Sequence, residues 1–97
     1  MLHTVNKSPT GSGSLESALR VAAAGAPILL LEDGVYAARP GSRSQALLDS
    51  ALAGHPLYAL GPDLEARGIQ RVIPGIRVIG YDGFVELVEQ HPVVPWL

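Results

Sequence analysis

Few residues in this 97-residue chain are of a type to do chemistry, and none forms a familiar catalytic set. Glu32 and Asp33 are adjacent carboxylates, which can hold a magnesium ion when a further carboxylate or a phosphate joins them. Lys7, Gly11, Ser12, Gly13 and Ser14 form a small-residue loop that leads into a helical pattern. Backbone N–H groups at such a junction can cradle an anion. His3, His55 and His91 are scattered, and no Gly-x-Ser-x-Gly or Ser/His/Asp spacing accompanies them. Cysteine is absent. That excludes disulfides, thiol catalysis, and zinc or iron–sulfur sites that need thiolates.

Each of these features also has a plainer reading. The loop has neither the Gly-Lys-Ser/Thr of a phosphate-binding loop nor the full dinucleotide glycine spacing, so flexible capping explains it. Glu32 and Asp33 fit a turn or a subunit contact. His3 lies within a strand pattern and reads as a satisfied structural histidine, and His55 precedes Pro56 in a turn. His91 falls at a helix C-terminus, where a cation interacts well with the helix dipole. These residues therefore point to no catalytic, cofactor-binding or metal site.

Several elements must position these residues. Leu2 to Val5 reads as a strand, and Asn6 to Ser14 as a loop broken by Pro9, Gly11 and Gly13. Leu15, Ala18, Leu19, Ala22 and Ala23 recur at helical spacing, with Ser14 placed as a cap and Gly25 as a left-handed stop. Ile28 to Leu31 is an unbroken apolar run that fits a strand buried on both faces. Glu32 to Gly34 ends it, and Val35 to Ala38 is ambiguous between loop and a short helical turn. Ser42 and Gln45 have capping-box spacing ahead of Leu47, Leu48, Ala51 and Leu52. Leu57 to Leu60 is a third strand, and Asp63 caps a short helix that stops at Gly68. Val72 and Ile73 form a brief extended segment, and Ile76 to Ile79 a further strand. Asp82 caps a last helix with Phe84, Leu87 and Val88 facing inward, and the chain closes with Val93, Val94, Pro95, Trp96 and Leu97. Strand and helix alternate with short connections. The expected fold is a small single-domain α/β layered fold over residues 1–97, with a mostly parallel sheet flanked by helices. Ligands in such folds gather at the carboxyl ends of the strands. Here those ends carry Asn6 with Lys7, Glu32 with Asp33, Asp63, and Asp82, a mainly acidic rim.

Composition narrows the partners. Net charge is −2 and the isoelectric point about 5.8, so no broad basic field attracts nucleic acid. Arg67, Arg71 and Arg77 are diluted by acidic neighbours. Charged residues make up only 16% of the chain, below the usual figure of about 25%. So low a charge points to a surface that meets another protein. Trp96 and Leu97 end the chain with apolar side chains, which either seal the domain's own core or anchor a neighbouring subunit. The chain opens at Met1 without a charged n-region or long apolar run, which reads as cytoplasmic with no membrane span.

Taken in order, these segments resemble the TusB/DsrH family. The resemblance rests on Leu2-His3-Thr4-Val5 with Ser8-Pro9, on Glu32-Asp33-Gly34-Val35, and on Tyr58-Ala59-Leu60 followed by Asp63-Leu64 and Ala66-Arg67-Gly68. Phe84-Val85 and the terminal Trp96-Leu97 complete it. The opening His3-Thr4-Val5-Asn6-Lys7-Ser8-Pro9 and Arg71-Val72-Ile73-Pro74-Gly75-Ile76 look closer to the DsrH branch. The resemblance implies the smallest of three related subunits in a cytoplasmic sulfur-relay heterohexamer, two copies of each. Its partners would be DsrE/TusD-like and DsrF/TusC-like subunits, with no membrane and no direct nucleic-acid contact. Such complexes serve either tRNA wobble-uridine 2-thiolation or oxidation of stored sulfur, and the main sulfur-carrying cysteine lies on the TusD or DsrE subunit. Some DsrH proteins carry a cysteine in the first helix within Leu-Glu-Ser-Cys-Leu. This chain reads Leu15-Glu16-Ser17-Ala18-Leu19, with Ala18 at that thiol's position.

The expected role is a non-catalytic subunit, with Trp96 and Leu97 as candidate interface residues and no cofactor. The alternatives are a small metal-binding α/β enzyme or regulatory domain using Glu32 and Asp33, and a homo-oligomeric binding module anchored by Trp96.

Overall fold

Five short strands form one parallel sheet in the order β4-β3-β2-β1-β5 in the computed structural model, which describes residues 1–97. The strands are β1 (Leu2–Val5), β2 (Ile28–Leu30), β3 (Leu57–Leu60), β4 (Arg77–Ile79) and β5 (Val93–Trp96). Between them run α1 (Ser14–Val21), a 3-10 helix (Glu32–Ala38), α2 (Gln45–Ala51), α3 (Gly61–Ala66) and α4 (Tyr81–Gln90). The mostly parallel α/β expectation holds, and every strand pairing is parallel.

The order explains how the faces are filled. From β1 to β4 the chain steps across the sheet in one direction. Right-handed crossovers then put every connection on the same face. Leu15 and Ala18 of α1, Val35, Ala37 and Ala38 of the 3-10 helix, Leu48 of α2 and Leu64 of α3 join Val5, Ile28, Leu30, Leu57 and Ala59 in the main core. The last crossover runs back past β1, so the same handedness places α4 on the opposite face. There Leu87 and Phe84 pack with Leu2, Leu29, Tyr58 and Ile79. The central strand β2 serves both layers. Ile28 and Leu30 belong to the main core and Leu29 to the second, as its unbroken apolar run requires. Burying a leucine or isoleucine fully contributes about 1.5–3 kcal/mol, so this strand is a major source of stability.

Several local expectations are corrected. The apolar tail is a fifth strand: Leu2 to Val5 register with Val93 to Trp96. Glu32 to Ala38 is one 3-10 helix of 7 residues, not a strand end followed by an ambiguous turn. Val72 and Ile73 form no strand. Instead Ile73 is buried, and its N–H donates to the carbonyl of Ala38. The strand after it starts at Arg77, while Ile76 is held in the main core ahead of it. The first helix ends at Val21, before Ala22 and Ala23, so Gly25 shapes the following turn with φ +83° and does not stop the helix.

The capping assignments also change. Ser14 begins α1 but pairs its hydroxyl with Ser12. The Ser42–Gln45 pair forms no capping box. The Gln45 side-chain oxygen accepts the Gly41 N–H, and the Ser42 hydroxyl donates to Ala37. Asp82 lies in the first turn of α4 behind Gly80 and makes no cap bond. Val88 is exposed, because Phe84 and Leu87 define the stripe that meets the sheet and Val88 lies on its flank. No helix is long and apolar enough to cross a membrane.

Candidate functional site

Of the candidate carboxylates expected at the carboxyl edge of the sheet, the structure gives partners to two, Asp33 and Asp63. Glu32 follows β2 with φ +49°, a left-handed conformation that a side chain disfavours. Its N–H donates to Asp63 Oδ2 at 2.6 Å. Asp63 sits in the first turn of α3, so its expected capping bond is made across to the 3-10 helix instead. Arg67 completes the link. Its Nε donates to Asp33 Oδ1 at 3.0 Å, Nη2 lies 2.9 Å from the same oxygen, and Nη1 donates to the Asp63 carbonyl at 3.3 Å. Asp33 and Asp63 are thus engaged by protein groups that tie the 3-10 helix to α3. No cluster of three or more histidine, aspartate or glutamate side chains is placed to hold a metal ion. Gly34 explains why this helix lies so close to β1. A Cβ there would collide with the Val5 carbonyl oxygen.

The loop after β1 is satisfied by its own hydroxyls. Ser8 and Thr10 pair at 3.0 Å, Ser12 and Ser14 at 2.7 Å, and the Ser14 N–H donates to Ser12 Oγ at 3.1 Å. These are the local turns that compete with an outward-facing anion cradle. Asn6, at the mouth of this loop, keeps a buried Oδ1 without a hydrogen-bond partner. It follows β1, which lies between β2 and the edge strand β5.

The histidines divide by environment. His3 is buried in β1, and its Nδ1 accepts from Trp96 Nε1 at 3.0 Å. The indole N–H can only donate. Nδ1 is therefore unprotonated, and a neutral ring carries its proton on Nε2. Burial first, then the positive chain terminus and His55, hold the imidazole below its usual value of 6.5. His55 Nδ1 lies 2.8 Å from the Ala26 carbonyl, so that nitrogen carries the proton and the ring ties the β3 approach to the turn before β2. His91 is the C-cap residue of α4, as its position implied.

The two candidate interface residues separate. Trp96 is partly buried against the main core and bonded to His3. Leu97 is 80% exposed. Ala18 is fully buried in the main core. A further polar cavity lies between the loop after β1, the 3-10 helix and the approach to α2, and includes Arg39 and Arg43. Sequence reasoning missed it, because its residues come from four segments, Glu16 of α1 among them.

The chain is similar to known proteins along nearly its whole length. A family profile described as "DsrH like protein" matches residues 7–94. "Protein TusB" of Serratia proteamaculans is 49% identical over 92 residues, covering 94% of each chain. "Protein TusB" of Pectobacterium carotovorum is 46% identical over 94 residues, and that of Escherichia coli 41% over 93, each covering 95% of both chains. Among solved structures, the ychN protein from E. coli superposes with a TM-score of 0.81 at 21% identity, over 97% of both chains. A protein of unknown function from Methanobacterium thermoautotrophicum gives 0.75 at 17%, over 97% of this chain and 95% of the other. These two likenesses concern the fold.

Proposed function

This chain belongs to the TusB/DsrH family, and on that premise we propose that it is a non-catalytic subunit of a cytoplasmic sulfur-relay heterohexamer. In this reading residues 1–97 act as one domain that assembles with a DsrE/TusD-like and a DsrF/TusC-like subunit. One observation carries the non-catalytic part. No cysteine occurs anywhere in the chain, and Ala18 stands where the resemblance implies a thiol in some relatives. A persulfide forms by exchange at a cysteine sulfur, so this chain has no atom to carry one. Burial of Ala18 in the main core supports the same reading, because that position presents no surface to a sulfur donor. The chain's contribution is then assembly or docking, and its low charge and exposed Leu97 agree with a protein-facing surface.

The relay serves tRNA wobble-uridine 2-thiolation or intracellular sulfur oxidation. Both uses need the same scaffold, and the neighbouring genes discriminate between them, since sulfite-reductase genes alongside point to oxidation. Co-expression with the neighbouring subunits tests assembly. A stable complex containing all three chains is expected. A monodisperse monomer that ignores those partners overturns the assignment. Transfer of labelled persulfide sulfur onto the isolated chain overturns its non-catalytic part.

A further inference from the structure

We propose that Arg39 and Arg43 form a binding site for a tetrahedral oxyanion, a phosphate or sulfate group, in the polar cavity between the loop after β1 and the approach to α2. The cavity measures about 560 Å³ and is lined by both arginines with Thr10, Tyr36, Ser44 and Glu16.

Charge accounting singles these arginines out. Arg67 is saturated by Asp33 and Asp63, whereas neither Arg39 nor Arg43 forms an ion pair. Arg39 is nevertheless held in place. Its Nε donates to the Tyr36 carbonyl at 3.2 Å, and its guanidinium carbon sits 5.1 Å from the centroid of the Tyr36 ring. That geometry commits Nε and leaves the two terminal nitrogens uncommitted. An arginine already ordered loses less entropy when it grips a planar or tetrahedral anion through two parallel bonds. Arg43 makes no hydrogen bond within the protein, so all its donors remain available.

Ser44 adds a neutral donor to the two arginines. It lines the same cavity, is only 5% exposed, and its hydroxyl pairs with no protein group. That hydroxyl is free to donate, and an anion oxygen in the cavity would accept its bond. Glu16 is the opposing charge. It lies in the first turn of α1, with Oε2 3.7 Å from the Cβ position at Gly13, where the helix N-terminus favours a carboxylate. Two guanidiniums against one carboxylate leave the cavity net positive in a chain of net charge −2.

The test is an amide NMR titration of the full chain with inorganic phosphate, sulfate and adenosine monophosphate, against chloride at matched ionic strength. Saturable shifts at Arg39, Arg43 and Ser44 with phosphate or sulfate are expected. Arg43→Gln, an exposed and unpartnered position, should weaken binding at least about fivefold, as should Arg39→Gln. Glu16→Gln should tighten it. Tighter binding of the nucleotide than of phosphate supports the site and assigns the oxyanion to a larger molecule. Equal affinity assigns it to the free ion. Shifts that match chloride, never saturate, or survive Arg43→Gln unchanged overturn the proposal.

Discussion

Trp96 Nε1 donates to His3 Nδ1 across 3.0 Å, joining residues 93 positions apart. The rings lie 6.2 Å apart between centroids, tilted by 30°. This contact fixes the tautomer of His3 and holds the edge strand β5 against β1. It exists because the strand register sets Val5 beside Trp96 and His3 beside Val94 on the same pairing.

Stability should depend on pH through His3. Its imidazole titrates lower in the folded chain than its usual 6.5, because burial and nearby positive charge disfavour the cation. The unfolded chain therefore binds more protons in the window just below 6.5. The stabilisation is fully present above that value and is lost as pH falls through the folded-state value. Urea denaturation at pH 7.5 and pH 5.5 should give a lower midpoint at the acid pH. His3→Asn should reduce the difference, and an undiminished difference would assign it to other groups.

The two terminal residues should behave differently in the isolated chain. Trp96→Ala removes a partly buried indole and leaves His3 without its donor, with an expected loss of about 2–3 kcal/mol. Leu97→Ala touches an exposed side chain and should change stability by less than about 0.5 kcal/mol. Thermal melts of the isolated variants check both values. If Leu97→Ala weakens co-purification with partner subunits while leaving the melt unchanged, the interface role is supported.

Gly34→Ala should be severe for its size. The added methyl meets the Val5 backbone, which cannot rotate away as a side chain can. A loss of about 2–3 kcal/mol is expected from forced displacement of the 3-10 helix. Gly11→Ala, with open space around it, provides the control. Equal melting temperatures for the two variants would contradict the close approach.

A thiol introduced by Ala18→Cys should be sheltered. The position is fully buried among apolar side chains, which raise a thiol's pKa and block access. Its reaction with a disulfide reagent should be more than about tenfold slower than that of free cysteine. Fast labelling would show that α1 opens locally from the sheet.

Much of this architecture is legible in the chain. The apolar run at Ile28 to Leu31 announced a doubly covered strand, and Ile28, Leu29 and Leu30 do face both layers. The buried role of His3 was readable from its place in the first strand. Asp63 was not readable in the same way. Its position suggested a local cap, yet its carboxylate binds an N–H 31 residues away. Capping chemistry is a local preference, and a strained donor brought near by folding outcompetes it. The fifth strand was hidden for a similar reason. Val93 to Trp96 contains a proline, which weakens the strand signal, and only pairing with β1 makes it a strand.

By itself the sequence determined what this protein cannot do and which family frame it fits. A chain without cysteine lacks any persulfide carrier, whatever its fold. The spacing of apolar residues likewise dictated alternating helices and strands. Tertiary structure decided where side chains with no sequence proximity meet. It turned the tail inward at Trp96 and left Leu97 outside. It spent Asp33 and Asp63 on Arg67 and Glu32. It also left Arg39 and Arg43 facing one cavity without a carboxylate partner. Electrostatic and hydrogen-bond partners are chosen by distance in space, which the order of residues along the chain does not specify.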